Sequence, residues 1–206
     1  VCFTTFIIKQ YTLEDAMVEN RRVMMTKRLL KESIFELMKK KPLNKITIKE
    51  LCENADVNRT TFYKYYGDQY SLVKEAEDEL LEKTSEFLKN LSLEKEKIKL
   101  LEEFITYVKT NGEMFDILLS KNSDTDFRIR LMSVAMKKVM AEKYEPNIKE
   151  GDKKYVYCMI IMGAISTISL WIKSNYDKSV EDVANLMYNL VLYGLKGIEE
   201  EKNMSV

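Results

Sequence analysis

The stretch NRTTFYKYY, residues 58–66, gathers an Arg, two Thr, a Lys and three Tyr on one short element. At helical spacing Phe62 and Tyr66, four apart, share one face. Arg59, Thr60, Tyr63 and Lys64 then fall on the opposite one. Those residue types suit a DNA duplex. A guanidinium at Arg59 can read guanine edges in a major groove, and Thr60 or Thr61 can contact a base or a phosphate. Tyr63, Lys64 and Tyr65 can hold the backbone, together with Thr47 and Asn58. The last two residues sit where helices begin, and the amides of a helix N-terminus also favour phosphate. Short helical hairpins with one aromatic face occur as ordinary core too, so composition alone leaves both readings open.

These side chains need a frame. Leu29, Leu30, Ile34, Leu37 and Met38 lie along one face of a helix from Met24, which Pro42 stops. Thr47 followed by Glu50 reads as a capping box opening a second helix, IKELCENA. Asp56 breaks that helix, as a residue that tolerates a left-handed conformation, and Asn58 caps a third. Ile48, Leu51, Ala55, Val57, Phe62 and Tyr66 close a small core against Ile34, Leu37 and Met38. A turn of three to four residues between helices is the helix-turn-helix spacing.

The totals agree with an all-α protein. The chain has 206 residues, 46% hydrophobic and 32% charged, with only 6 Gly and 2 Pro. Net charge is zero but unevenly placed. Residues 21–74 hold 13 Lys/Arg against 6 Asp/Glu, whereas 75–206 hold 19 against 24. A local basic block fits one region that meets a polyanion. Cys2, Cys52 and Cys158 are odd in number and widely spaced, which predicts reduced thiols in a cytoplasm and no zinc site. The absence of histidine removes His-based triads and most catalytic zinc sites. The carboxylate pairs Glu102/Glu103 and Asp124/Asp126 read as solvated or capping groups, so no enzyme, metal or cofactor is expected.

Beyond the hairpin, helices are expected from about Asp68 to Leu91, over 93–110, 112–121, 125–144, 152–174 and 179–198, with EPNIKEGD (145–152) as the clearest loop. Residues 155–172 carry no charge and reach the lower limit of a membrane span. With Ser166, Thr167, Ser169 and two Tyr in it, this segment reads instead as a helix buried in a bundle or dimer interface, and no membrane partner is expected.

The segment TKRLLKESIFELMKKKPLNKITIKELCENADVNRTTFYKYYGDQYSL resembles the N-terminal domain of TetR/AcrR-type bacterial regulators. The resemblance covers about a quarter of the chain. It rests on the Thr cap, the Ile/Leu/Ala spacing, the turn, Val57, a Thr, and the Phe-Tyr pair with its aromatic ending. Asp56 stands where the family usually has Gly, Gly67 where a Lys is common, and Gln69 where a Lys usually touches phosphate. The resemblance implies an N-terminal three-helix helix-turn-helix domain followed by a larger helical domain. It also implies a homodimer on a palindromic operator and repression relieved by a small molecule. The family's DNA-facing positions correspond here to Thr47, Asn58, Arg59, Thr60, Tyr63, Lys64 and Tyr65.

The expected organisation is an N-terminal extension at 1–20, a DNA-binding domain at 21–70, and an effector-binding and dimerisation domain at 71–206. Leu13-Glu14-Asp15 ahead of Met17 can be encoded by a purine-rich, ribosome-binding-like string, which makes Met17 a candidate start of the cellular chain. The last two helices can form a four-helix bundle with a second copy, Gly163, Ala164 and Gly194 allowing close approach. On family grounds, Tyr107, Met114, Phe115, Met132, Met136, Met159, Met162 and Trp171 are the candidate lining of an effector pocket. The alternative is a DNA-bound adaptor whose second domain binds a protein.

Overall fold

The structure, a computed structural model, describes residues 2–90, 98–120, 126–141 and 148–204. All of their regular elements are helical. In order these are α1 (Cys2–Met38), a 3-10 turn (Leu43–Lys45), α2 (Ile48–Asn54), α3 (Arg59–Tyr65) and α4 (Gln69–Asn90). Then come α5 (Ile98–Thr110), α6 (Gly112–Leu119), α7 (Phe127–Ala141), α8 (Glu150–Lys173) and α9 (Val180–Met204). Two compact units result, Val1–Ala76 and Glu77–Val206.

In the first unit, Leu30, Ile34 and Leu37 of α1, Leu51 of α2, Phe62 of α3 and Leu72, Val73 and Ala76 of α4 are buried, with α2 packed on both α1 and α3. A polar tie fixes α2 on α1. The Ser33 hydroxyl donates to the Leu51 carbonyl (3.0 Å), and Asn54 Nδ2 donates to Ser33 Oγ (3.0 Å) and Glu36 Oε2 (3.1 Å). Because every buried polar atom named here has a partner, the tie avoids a desolvation penalty and sets the register of the two helices.

The caps follow from local chemistry. Thr47 Oγ1 accepts from the Glu50 amide (3.2 Å) and Asn58 Oδ1 from the Thr60 amide (2.8 Å). The Glu50 carboxylate lies 2.5 Å from Lys41 Nζ. Asp56 adopts φ 51°. The Val57 amide returns to the Cys52 carbonyl and the Asp56 amide to that of Glu53. This is a Schellman end built on Asp in place of Gly. Asp68 and Ser71 cap α4 reciprocally, each side chain accepting from the other's amide.

In the second unit α5 packs on α9, and α6 and α7 pack on α8. The core runs through Ile105, Phe115, Leu118, Phe127, Ile161, Ile165, Trp171 and Ala184. Arg130 on α7 reaches the buried Glu77 (2.6 Å) and Asp78 at the start of this unit. The end of α8 repeats the Schellman geometry with Asn175 and Tyr176, at φ 53° and 59°. There the Tyr176 ring packs edge-on against Trp171 at 5.0 Å between centroids.

Three element boundaries differ from expectation, one of them the end of α9, which runs on to Met204 instead of stopping near 198. α1 runs without a break from Cys2 through residue 24, where the apolar period begins. Glu150, Gly151 and Asp152, expected in a loop, form the first turn of α8, where two carboxylates favour the positive end of the helix dipole. Residue 91 of the expected fourth helix, 93–97 of the fifth, 121 of the sixth, Asp124, 125 and 142–144 of the seventh and 145–147 of the loop lie outside the described residues.

Candidate nucleic-acid interface

The geometry of α3 is decided by its two inward rings. Phe62 is 0% and Tyr66 4% exposed, and their centroids are 5.7 Å apart. Burying two aromatic side chains outweighs any single polar contact on so short a helix. The opposite face is therefore dictated: Arg59, Thr60, Tyr63 and Lys64 are exposed, Thr61 and Tyr65 half-buried. Thr47 and Asn58 are exposed at the starts of α2 and α3, where each accepts from an amide of its own helix.

The surroundings are basic. Arg21, Arg22 and Arg28 of α1 are exposed. Lys64 Nζ lies 3.6 Å from the Glu19 carboxylate and over the Tyr65 ring at 5.6 Å. Both members of the Lys64–Glu19 pair are well exposed, so the contact is weak and a phosphate can displace it. Glu19 did not figure among the expected site residues, and no local pattern marks it.

Behind α3 lies a second arrangement that sequence reasoning missed. The Glu75 carboxylate accepts from Tyr66 Oη (2.9 Å) and pairs with Lys27 and Lys31 (2.9 Å each). Burial pushes its pKa up, but the three donors more than reverse this and bring it down to about 2. Lys27 and Lys31 stand one turn apart on α1, a spacing visible in the sequence. The carboxylate they would meet was not.

The expected effector-lining residues are distributed as follows. Tyr107 and Phe115 meet edge-on at 6.2 Å, within a chain of rings that includes Phe87, Phe104 and Phe127. Burial first, and Glu79 second, raise the Tyr107 phenol to about 12. Met114, Met132, Met136 and Met162 are half-buried. Met159 is 68% exposed. Trp171 is buried, and its indole N–H donates to the Lys178 carbonyl (3.0 Å), which ties the end of α8 to the start of α9.

Residues 95–193 match the TetR_C_8 family model, the transcriptional regulator C-terminal region. A solved TetR transcriptional regulator from Streptococcus agalactiae 2603V superposes with a TM-score of 0.59 over 85% of this chain and 98% of its own, at 23% identity. These likenesses support a TetR-type transcriptional regulator. The transcriptional regulator FadR from Bacillus subtilis, solved in complex with stearoyl-CoA, shares the fold at a TM-score of 0.56 and 18% identity, over 82% of this chain and 96% of its own. The uncharacterized HTH-type transcriptional regulator YxbF of Bacillus subtilis (strain 168) is 34% identical over 53 residues, or 26% of this chain. That match spans 14% of the relative's own length. In the N-terminal unit of this chain, α2, the turn at Asp56 and α3 form a helix-turn-helix.

Proposed function

We propose that this TetR-type regulator is a cytoplasmic repressor that binds a palindromic operator as a homodimer and leaves it when a small molecule occupies the second unit. One observation carries the DNA half of this reading: Phe62 and Tyr66 are buried while Arg59, Thr60, Tyr63 and Lys64 face outward. In the operator complex Arg59 donates to a guanine edge. Thr60, Thr61 and Tyr63 contact bases or backbone, and Lys64 exchanges Glu19 for a phosphate. Thr47, Asn58 and Tyr65 flank the backbone.

The homodimer is supported by two exposed stripes. On α8, Tyr155, Met159, Gly163, Ser166 and Leu170 are exposed at three- and four-residue steps, and on α9 so are Leu186, Leu190, Tyr193 and Gly197. α8 is long and apolar enough to cross a bilayer, and only 33% of that stretch is buried within the protomer. A second copy would cover this surface, which is mostly apolar with the hydroxyls of Tyr155, Ser166 and Tyr193 among it, and Gly163 and Gly194 are open to a close approach. Two successive major grooves of a palindromic operator would require the two α3 helices to lie about 34–36 Å apart, one DNA turn.

The effector reading rests on the Met-rich, aromatic second unit. FadR was solved with stearoyl-CoA, so long-chain acyl thioesters are the first class to screen for operator release. The ligand lowers operator affinity by its preference for the released state and no more.

The test begins with selection of duplexes from a random pool. In titrations of the selected duplex, Arg59→Ala should cost about 1–3 kcal/mol and relax one base preference. Lys64→Ala should weaken selected and scrambled duplexes alike and reduce the slope of log K against log salt by about 1. Unchanged binding in both variants rejects this face of α3.

A further inference from the structure

We infer that Glu75 is a positioning residue for DNA recognition, clamping the C-terminal end of α3 to α1 and α4. The inference rests on the reading of α3 as the DNA-contacting helix. Tyr66 is the C-cap of α3. Its ring is buried, and its hydroxyl donates to Glu75 Oε1 at 2.9 Å. Lys31 Nζ reaches the same oxygen at 2.9 Å, and Lys27 Nζ reaches Oε2 at 2.9 Å. Lys27 Nζ also stands 5.4 Å over the Tyr66 ring. Three elements therefore meet at one carboxylate whose side chain is 31% exposed.

A phenylalanine would fill the ring's pocket equally well. What the hydroxyl adds is a tether, because a hydrogen bond to a charged oxygen fixes the position of the ring's tip relative to α4, which apolar packing alone does not. The lever arm is short but sufficient. Tyr66 lies seven residues from Arg59, about 10 Å at 1.5 Å per residue. A 10° tilt of α3 about its C-terminal end then shifts Arg59 by roughly 2 Å, enough to break a bidentate contact with a guanine. The clamp also withdraws Lys27 and Lys31 from phosphate, since their ammonium groups already neutralise Glu75. Glu75 lies two residues before the point where α4 leaves the first compact unit.

The experiment compares wild type, Tyr66→Phe, Glu75→Gln, the double variant and Arg59→Ala. The probe is the tightest duplex selected from a random pool by wild type, with a scrambled duplex of equal length beside it. Measurements are made at a temperature where circular dichroism shows every variant folded. Breaking a hydrogen bond to a charged group predicts a loss of about tenfold for the selected duplex in Tyr66→Phe, and more in Glu75→Gln. The scrambled duplex should bind as before, and the salt slope should be unchanged. The double variant should lose no more than Glu75→Gln alone. A purely structural role would lower the melting temperature and leave the affinity of the folded protein alone. Selected-duplex affinities within twofold of wild type in both single variants overturn the clamp, and so does an equal loss on both duplexes with a changed salt slope. If Glu75→Gln does not fold, Tyr66→Phe, which keeps both lysine pairs, decides alone. Arg59→Ala separates the two readings: its loss of binding beside an intact Tyr66→Phe rejects the clamp only, while no loss in either rejects the DNA face with it.

Discussion

Gly112 opens α6 at a point where a single methyl group has nowhere to go. A Cβ built there would lie 1.7 Å from Tyr176 Oη and 3.0 Å from its ring carbon Cζ. Tyr176 cannot simply swing aside. Its backbone is left-handed, its ring rests on Trp171, and Lys109 Nζ stands over it at 5.5 Å. Gly112→Ala should therefore cost about 1–3 kcal/mol, the usual range for forced overpacking. Adding Tyr176→Phe removes the closest atom and should restore part of the loss. Calorimetric melting of the two variants checks this. A Gly112→Ala protein that melts with wild type would mean that the ring does not cover the glycine.

At the scale of elements, α8 and α9 show why a helix can be apolar nearly all round and still fit a folded protein. Ile161, Ile165, Ile168 and Trp171 turn inward on α8, and Val183, Ala184 and Leu195 do so on α9. What remains is the pair of exposed stripes. Leu190 is 74% exposed in the protomer, so Leu190→Lys removes almost nothing from the fold and places a charge in the proposed dimer contact. The variant should keep its helical circular dichroism, sediment as a monomer at micromolar concentration, and lose most of its affinity for the selected duplex, because two half-sites are no longer bound together. A dimer that survives the substitution places the interface elsewhere.

On the whole molecule, acid acts through Glu75. Its pKa in the folded protein is about 2, against an ordinary 4.5. A depressed carboxylate contributes stability that is present above pH 4.5 and is lost as pH falls from there toward 2. The full shift would correspond to about 3 kcal/mol, and solvent screening of a side chain about a third exposed reduces it to roughly 1–2. Melting temperatures measured between pH 3 and pH 6 should fall more steeply for wild type than for Glu75→Gln. Parallel curves would show that the three donors do not hold the ionised form. Charge is also unequal along the chain, with the basic excess in residues 21–74. Phosphate attraction is in this way concentrated near α3, and the acidic remainder opposes indiscriminate binding elsewhere.

Much of this was readable from the sequence because it is local. Caps at Thr47 and Asn58, the left-handed Asp56, and the inward pair Phe62 and Tyr66 depend on neighbours within about four residues, and helical periodicity reports those directly. The outward face of α3 follows from the inward one, so the exposure of Arg59, Thr60, Tyr63 and Lys64 was legible too. Residues 27, 31, 66 and 75 are distant along the chain, and only packing brings their charges and hydroxyl together. The same holds for the exposure of Met159 and for Trp171, whose indole N–H joins α8 to α9. Periodicity says that a side chain is apolar; which apolar face finds a partner within the protomer, and which is left for another molecule, is decided by the neighbours that folding supplies.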